Sequence, residues 1–340
     1  MDKLNAVKNL FEKFEDISSD FEVIKLTTGH INSTYLIINQ KKKFILQQIN
    51  SSIFKQTEVL TQNVIEISNH LKKKNYPHKI LKQFEFKNGE YLYENSWRIL
   101  EFIENSQSFE KVKSAQQAFE AAKFLSEFYF YINDLDTDLI KDSIPGFLDF
   151  DSRFEQFENA LKSAEFQRTE NSRNEIEFIV QNQKLLKEWN EISVKIPNRI
   201  IHADPKISNF LFDQNSDEKI IGLIDWDTFM KGPVLYDFGD MVRSYTNLKN
   251  EDDDSDGATF SLKNYNALKN GFLSYLKSEL TPIEIENLDL AAKIVIYIQA
   301  VRFLTDYLNG DLYYQISYSE QNLNRTKNQI SLLKELTEAL

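Results

Sequence analysis

Apolar and polar residues alternate on both sides of a single glycine near the start of the chain. The run Leu26-Thr27-Thr28-Gly29-His30-Ile31-Asn32-Ser33-Thr34-Tyr35-Leu36-Ile37-Ile38 predicts a strand, a tight turn and a second strand. Residues 43–49 predict a third strand. The period then lengthens. Val59, Leu60, Val64, Ile65 and Leu71 mark one face of a helix over residues 53–74. Period-two segments return over residues 79–86, 90–93 and 97–103, before a polar linker, Asn105-Ser106-Gln107-Ser108. A short amphipathic helix over residues 3–15 precedes this unit. Beyond it the pattern is mostly helical, over residues 112–133, 151–165, 170–190, 260–278, 283–308 and 319–339. Aromatic stripes such as Phe119, Phe124 and Phe128 are expected in the core. The predicted fold is α+β, with a small antiparallel-sheet N-terminal lobe (1–104) and a mostly helical C-terminal lobe (105–340).

Composition supports two lobes. The chain has 340 residues and is 41% hydrophobic, with 26 Phe and 15 Tyr, enough to fill a core in each. A net charge of −12 speaks against nucleic acid, whose phosphates need a basic surface. Zero cysteines exclude disulfides, thiol nucleophiles and cysteine zinc sites, and four scattered His form no zinc motif. The first residues carry no apolar stretch of signal-peptide length and no run approaches a membrane span, so a cytoplasmic protein without a membrane partner is expected. The acidic run Glu251-Asp252-Asp253-Asp254-Ser255-Asp256-Gly257 lacks the ligand alternation of a calcium loop and reads as a solvated surface loop.

The chemistry concentrates between residues 202 and 228. His202-Ala203-Asp204-Pro205-Lys206-Ile207-Ser208-Asn209 places an Asn five residues after an Asp. Such a loop can present a carboxylate to a substrate hydroxyl while the amide oxygen coordinates a metal. A second carboxylate, Asp225, ends the apolar run Ile220-Ile221-Gly222-Leu223-Ile224, where a strand would deliver it beside the loop. The segment Tyr236-Asp237-Phe238-Gly239-Asp240 mimics the metal motif of protein kinases, yet it follows a position already filled by Asp225. It is expected to start a helix, with Asp237 as a strut bracing the catalytic loop.

The HxDxxxxN and Ile-Asp-Trp-Asp pattern resembles the aminoglycoside-phosphotransferase and choline-kinase superfamily, whose fold is protein-kinase-like and two-lobed. The resemblance implies an ATP- and Mg2+-dependent kinase with one or two metal ions, held by Asn209 and Asp225. Asp204 would be its catalytic base. Gly29 and Asn32 would lie in the loop over the nucleotide phosphates, and Glu101, Phe102 and Ile103 would face adenine. The strand position that carries the phosphate-holding lysine in these kinases is occupied by Gln47. Its helix partner is placed at Asn63, with Glu66 and Glu58 as other possibilities, so an amide pair is expected in place of an ion pair. Lys206 is a further candidate for the γ-phosphate, and Asp227 is retained as a candidate of unassigned role.

Gly29 to Tyr35, residues 44–50, Ile144-Pro145-Gly146-Phe147 with Arg153-Phe154-Glu155, residues 225–228 and 236–243, and Arg302-Phe303-Leu304-Thr305-Asp306-Tyr307-Leu308 together resemble the N-acetylhexosamine 1-kinases. The likeness runs from about residue 20 to residue 335. It implies phosphorylation of the anomeric hydroxyl of N-acetylglucosamine or N-acetylgalactosamine, with His30, Thr228, Arg302 and Tyr313 toward the sugar. Ala203 and Pro205 beside Asp204, and Trp226 after Asp225, depart from that pattern and are expected to reshape the acceptor pocket. The partners implied are the sugar and ATP, and a monomer suffices. Two alternatives stand beside this reading. One is a kinase of the same fold acting on another sugar, an amino alcohol or an aminoglycoside. The other is a pseudokinase, suggested only by Gln47.

Overall fold

The computed structural model describes residues 3–26 and 31–340. The N-terminal lobe comprises α1 (Lys3–Phe11), β1 (Phe21–Leu26), β2 (Ser33–Asn39), β3 (Lys42–Gln48), α2 (Thr57–Lys73), β4 (Gln83–Phe84) and β5 (Trp97–Glu101). Its five strands form an antiparallel sheet in the order β1-β2-β3-β5-β4. Because side chains alternate across a strand, Phe44 and Leu46 of β3 point into one face, while Ile45 and Gln47 point to the other. The first face is sealed by Val7 and Phe11 of α1, together with Phe14 and Phe86. Phe14 stacks edge-on to Phe44 at 5.2 Å. The second face turns toward the C-terminal lobe.

That lobe contains β6 (Ser106–Gln107), α3 (Ala115–Ile132), α4 (Phe150–Ser163), α5 (Phe166–Asn171), α6 (Arg173–Gln181) and α7 (Lys184–Ser193). Then come β7 (Arg199–Ile201), β8 (Phe210–Asp213), β9 (Ile220–Leu223), β10 (Met230–Gly232), α8 (Val234–Tyr245) and α9 (Leu262–Leu276). The chain closes with α10 (Pro282–Glu286), α11 (Leu288–Leu308) and α12 (Gln321–Ala339). α11 is apolar nearly all round and therefore runs through the centre, with α4, α8 and α12 packed about it. Two small sheets, β10-β7 and β6-β8-β9, sit at the lobe boundary and carry the loops of interest. Val64, Ile67 and Leu71 of α2 join the main C-terminal core, so the two lobes share a hydrophobic contact.

The antiparallel sheet and the helical lobe agree with the predicted class, and several local expectations are corrected. No strand forms over residues 90–93. Gly89, Glu94 and Asn95 take positive φ there, and only Tyr93 bridges to Trp97. The segment read as a linker instead contributes β6, whose Ser106 and Gln107 pair with Asp213 and Phe212. The single helix expected over 170–190 is broken after Gln181, giving α6 and α7, and Pro282 opens a separate α10 before α11. Gly29 and His30 lie outside the described residues.

Gly239, part of the sequence that mimics a kinase metal motif, has a packing role. A Cβ at this position would lie 2.5 Å from the Ala291 carbonyl oxygen and 2.6 Å from Val295 Cγ2, so only glycine lets α8 meet α11 this closely. Gly239→Ala is expected to cost about 1–3 kcal/mol through overpacking, read as a lowered urea midpoint with an unchanged slope.

Candidate active site

The segment from His202 to Asn209, the candidate catalytic loop, is held from below by one buried carboxylate. Asp237, fully buried in the first turn of α8, accepts from His202 N at 2.9 Å and Ala203 N at 3.0 Å. The Tyr129 hydroxyl also donates to Asp237 and accepts from His202 N at 2.9 Å. Burial raises the Asp237 carboxyl to about 7, against the opposing pull of the Tyr129 hydroxyl and the two amides. These bonds hold Ala203 at φ 63°, a left-handed conformation costly for a residue with a Cβ. Asp204 follows directly.

His202 ties the loop to the next one. Its Nε2 lies 3.1 Å from the Ile224 carbonyl, and Asp204 N donates to its Nδ1 at 3.3 Å. A carbonyl can only accept, so Nε2 carries the proton and Nδ1 is bare. The ring is therefore neutral, in keeping with a pKa lowered by burial. Ile224 N in turn donates to the Asn209 carbonyl at 2.9 Å. Asp225 is thereby delivered beside the loop, itself in the left-handed region at φ 61°. Two strained non-glycine residues thus flank the candidate chemistry.

The polar side chains converge here. Asn209 Nδ2 donates to the Asp204 carbonyl at 2.8 Å and to Asp204 Oδ2 at 3.2 Å, which leaves the amide oxygen as the atom able to face a cation. Lys206 Nζ sits 2.9 Å from Asp204 Oδ2. Burial alone would lower the Lys206 pKa, but Asp204 and Asp225 outweigh it and hold it above the ordinary lysine value. The Asp225 carboxyl is raised to about 7 by burial first and by the neighbouring Asp227 second, with Lys206 acting against them. Among the described residues no cluster of three His, Cys, Asp or Glu meets metal-holding geometry. A carboxylate and an amide oxygen in an acidic niche nevertheless fit a hard cation that keeps water and phosphate oxygens as its other ligands.

Asp227 is buried and paired with Arg98 of β5, a residue that the sequence reading left unassigned. Arg98 Nη1 donates to Asp227 Oδ1 at 2.6 Å and Nη2 to Oδ2 at 2.8 Å. Its Nε donates to Gln47 Oε1 at 2.9 Å. The expected Gln47 to Asn63 amide pair does not form. Gln47 Nε2 donates to Thr34 Oγ1 at 3.0 Å, whereas Asn63 donates to the Lys141 and Phe229 carbonyls at 2.8 and 3.1 Å. Asn63 points down into the lobe junction rather than across the cleft. The legible signal for Arg98 was a lone cation inside the apolar strand Trp97-Arg98-Ile99-Leu100. Asn32 joins the group by donating to Asp227 Oδ2 at 2.8 Å.

Trp226, a departure expected to reshape the acceptor pocket, instead packs at 5.5 Å against both Phe128 and Phe229, with Nε1 donating to the Leu223 carbonyl. Thr228 is buried, and its hydroxyl finds no partner among the described residues. At the end of β5, Glu101 N is occupied by the Lys82 carbonyl at 2.9 Å, and Phe102 and Ile103 follow it.

Arg302 belongs to a second cluster. Its guanidinium stands 5.7 Å from the centres of Phe147 and Tyr314, and its Nη1 donates to Gln299 Oε1 at 3.0 Å. Arg153 is near enough that the Arg302 charge helps lower its pKa, after burial, and Arg153 Nε is buried without a partner among the described residues. Asp306 fixes the adjoining turn by accepting from the amides of Leu312, Tyr313 and Tyr314 at 2.8–2.9 Å. Tyr313 is exposed and packs against Tyr314. The link between the clusters is Asp240, which bears on Lys206 electrostatically and accepts from Arg243 Nε at 2.8 Å. A cavity of about 280 Å³ bounded by Asp149, Trp189, Lys231 and Tyr236 contains none of the catalytic-loop residues.

The two-lobed fold thus carries a braced Asp-Asn loop with a second carboxylate delivered beside it. Residues 22–266 match the model of the phosphotransferase enzyme family, and the chain belongs to that family. Solved structures share the fold. A microcompartment-associated aminopropanol kinase aligns with a TM-score of 0.64 at 13% identity, over 99% of this chain and 98% of that one. A spectinomycin phosphotransferase, solved in complex with ADP and spectinomycin, gives 0.62 at 13%, over 99% and 97%. An ethanolamine kinase of Plasmodium vivax gives 0.60 at 16%, over 94% and 84%. No helix among the described residues is long and apolar enough to cross a membrane.

Replacing Asp237 by Asn puts an NH2 group among donors. It is expected to cost about 1–3 kcal/mol for each buried donor left unsatisfied, measured by urea unfolding, and to speed hydrogen exchange at the Asp204 amide. Unchanged exchange would show that Asp237 does not brace the loop.

Proposed function

We propose that this phosphotransferase moves the γ-phosphoryl group of ATP to the anomeric hydroxyl of an N-acetylhexosamine, producing the sugar 1-phosphate. The observation that carries the acceptor class is the cluster of Arg302 and Arg153 with Phe147 and Tyr314. Guanidinium donors suit hydroxyl and acetamide oxygens, and flat rings suit a pyranose face. A cationic acceptor such as an amino alcohol or an aminoglycoside would want free carboxylates instead. Asp240 and Glu251, which reach this cluster, are both engaged by Arg243, at 2.8 and 3.1 Å. Those kinases remain the alternative acceptor class.

In this reading Asp204 orients the acceptor hydroxyl and takes its proton, while Lys206 holds the Asp204 carboxylate and faces the γ-phosphate. Asn209 and Asp225 would hold magnesium, which when bound neutralises the charge developing between the β- and γ-phosphates. The N-terminal sheet and the loop containing Gly29 and Asn32 would cover the phosphates. Adenine would meet the segment from Glu101 to Ile103, and the unpartnered Thr228 hydroxyl together with His30, Arg302 and Tyr313 would face the sugar. The chain would divide near residue 104 into nucleotide and acceptor lobes.

Incubation with ATP, magnesium and N-acetylglucosamine or N-acetylgalactosamine is expected to give a product whose phosphorus couples to the anomeric proton. Asp204→Asn should lower turnover by roughly a hundredfold or more, the scale of a positioned base, and loss of the Arg302 guanidinium should cost about 2–4 kcal/mol in kcat/KM. Phosphate on the 6-hydroxyl, or transfer only to an amino alcohol or aminoglycoside, would replace this acceptor assignment.

Magnesium dependence should carry a pH signature. The Asp225 carboxyl stands at about 7 in the metal-free fold, above its unfolded value, so folding favours its protonated form. Its contribution to metal-free stability is therefore present at low pH and lost as pH rises from about 4 to about 7. Magnesium needs the carboxylate, so its affinity should fall as pH drops below about 7, approaching tenfold per unit. Titration of magnesium by calorimetry between pH 6 and 8 checks the sign, and Asp225→Asn should flatten the profile.

A further inference from the structure

Gln47 stands where a related kinase would carry its phosphate-holding lysine, and the register of β3 on β5 sets Arg98 directly opposite it. Cross-strand partners share a face, so the two side chains meet beneath the sheet. The guanidinium and the Asp227 carboxylate are 3% and 2% exposed, and they join a strand of the N-terminal lobe to the C-terminal-lobe turn Trp226–Thr228. Asn32 donates to the same carboxylate and accepts from Asn50 N at 2.9 Å. Asp227 therefore receives the β5 cation and an amide from the segment just before β2, two residues after Asp225.

Burying an ion pair this deeply gains little net stability, because desolvation offsets the Coulomb attraction. Its value must lie in what it positions. We propose that Arg98 acts as a positioning residue for the nucleotide site, in a cleft that lacks the strand lysine. Paired with Asp227 across the lobes, it fixes the Asp225 turn and the Asn32 segment relative to each other, so that nucleotide binding depends on the pair. This inference rests on the phosphotransfer reading of the site.

The same geometry accounts for Gln47. A guanidinium fork matched to a carboxylate still has its Nε donor to satisfy, and the Gln47 amide oxygen accepts it without adding charge. A lysine at position 47 would set an ammonium against the guanidinium and compete for Asp227.

A double-mutant cycle on nucleotide binding tests the inference with no acceptor present. Affinity for magnesium–ADP is measured by calorimetry for wild type, Arg98→Gln, Asp227→Asn and the double variant, with urea unfolding run alongside. Each single variant is expected to lose about tenfold or more, and the double variant no more than either single, because the two groups act as one. Gln47→Lys should also weaken binding. Should a single variant fail to fold, the double variant decides, since it buries no unpaired charge. Reduced affinity in a folded double variant upholds the inference. Wild-type affinity in any folded variant lacking Arg98 or Asp227, additive losses across the cycle, or tighter binding by Gln47→Lys would overturn it. A wild-type protein that binds no nucleotide would instead sink the phosphotransfer reading itself.

Discussion

Three donors converge on the Asp237 carboxylate beneath the catalytic loop: two consecutive backbone amides and a tyrosine hydroxyl. Successive amides in a strand point to opposite sides, so one acceptor can take both only where the chain turns, and here it does so through the left-handed region at Ala203. The turn leaves the next residue, Asp204, facing the cleft. The arrangement requires α8 to begin where it does, and α8 is in turn seated on α11 by the absence of a side chain at Gly239. A core packing contact, a buried carboxylate and a strained loop form one mechanical sequence ending at the candidate base.

Charge is distributed along the site in alternation. Arg98 answers Asp227, Lys206 answers Asp204, and Arg243 answers Asp240 and Glu251. Asp225 alone has no direct cationic partner among these, and burial raises its carboxyl accordingly. In the proposed function this is the carboxylate that would be left to a divalent ion.

Local patterns carried much of this. The Asp-to-Asn spacing of the loop, the apolar run delivering Asp225, the period-two strands around residues 33–48 and the helices expected over 112–133, 260–278 and 319–339 are all sequence-local features, and the structure forms each near its expected place. The reading of Asp237 as a strut was equally legible, because Asp225 had already filled the metal position that Asp237 would otherwise claim. The acidic run was read as a surface loop, and there Asp253 hydrogen-bonds Ser255 while Glu251 is held by Arg243.

The failures share a cause. The partner of Gln47 was sought at helical spacing in α2, but that choice depends on how the helix is rotated, and its packing on the C-terminal core turns Asn63 toward Lys141 and Phe229. Strand register brought Arg98 to Gln47, and the packing of the two lobes brought Asp227 to Arg98 across 129 residues of sequence. Trp226 is expected to reshape the acceptor pocket as a departure from the family pattern, yet its ring packs in the core against Phe128 and Phe229. The sequence by itself determined which chemistry-bearing groups exist and which short loops present them, since spacing and periodicity are properties of adjacent residues. Which distant groups neutralise one another was decided only by tertiary structure, because a buried charge takes its partner from whatever the packing of separate elements brings within reach.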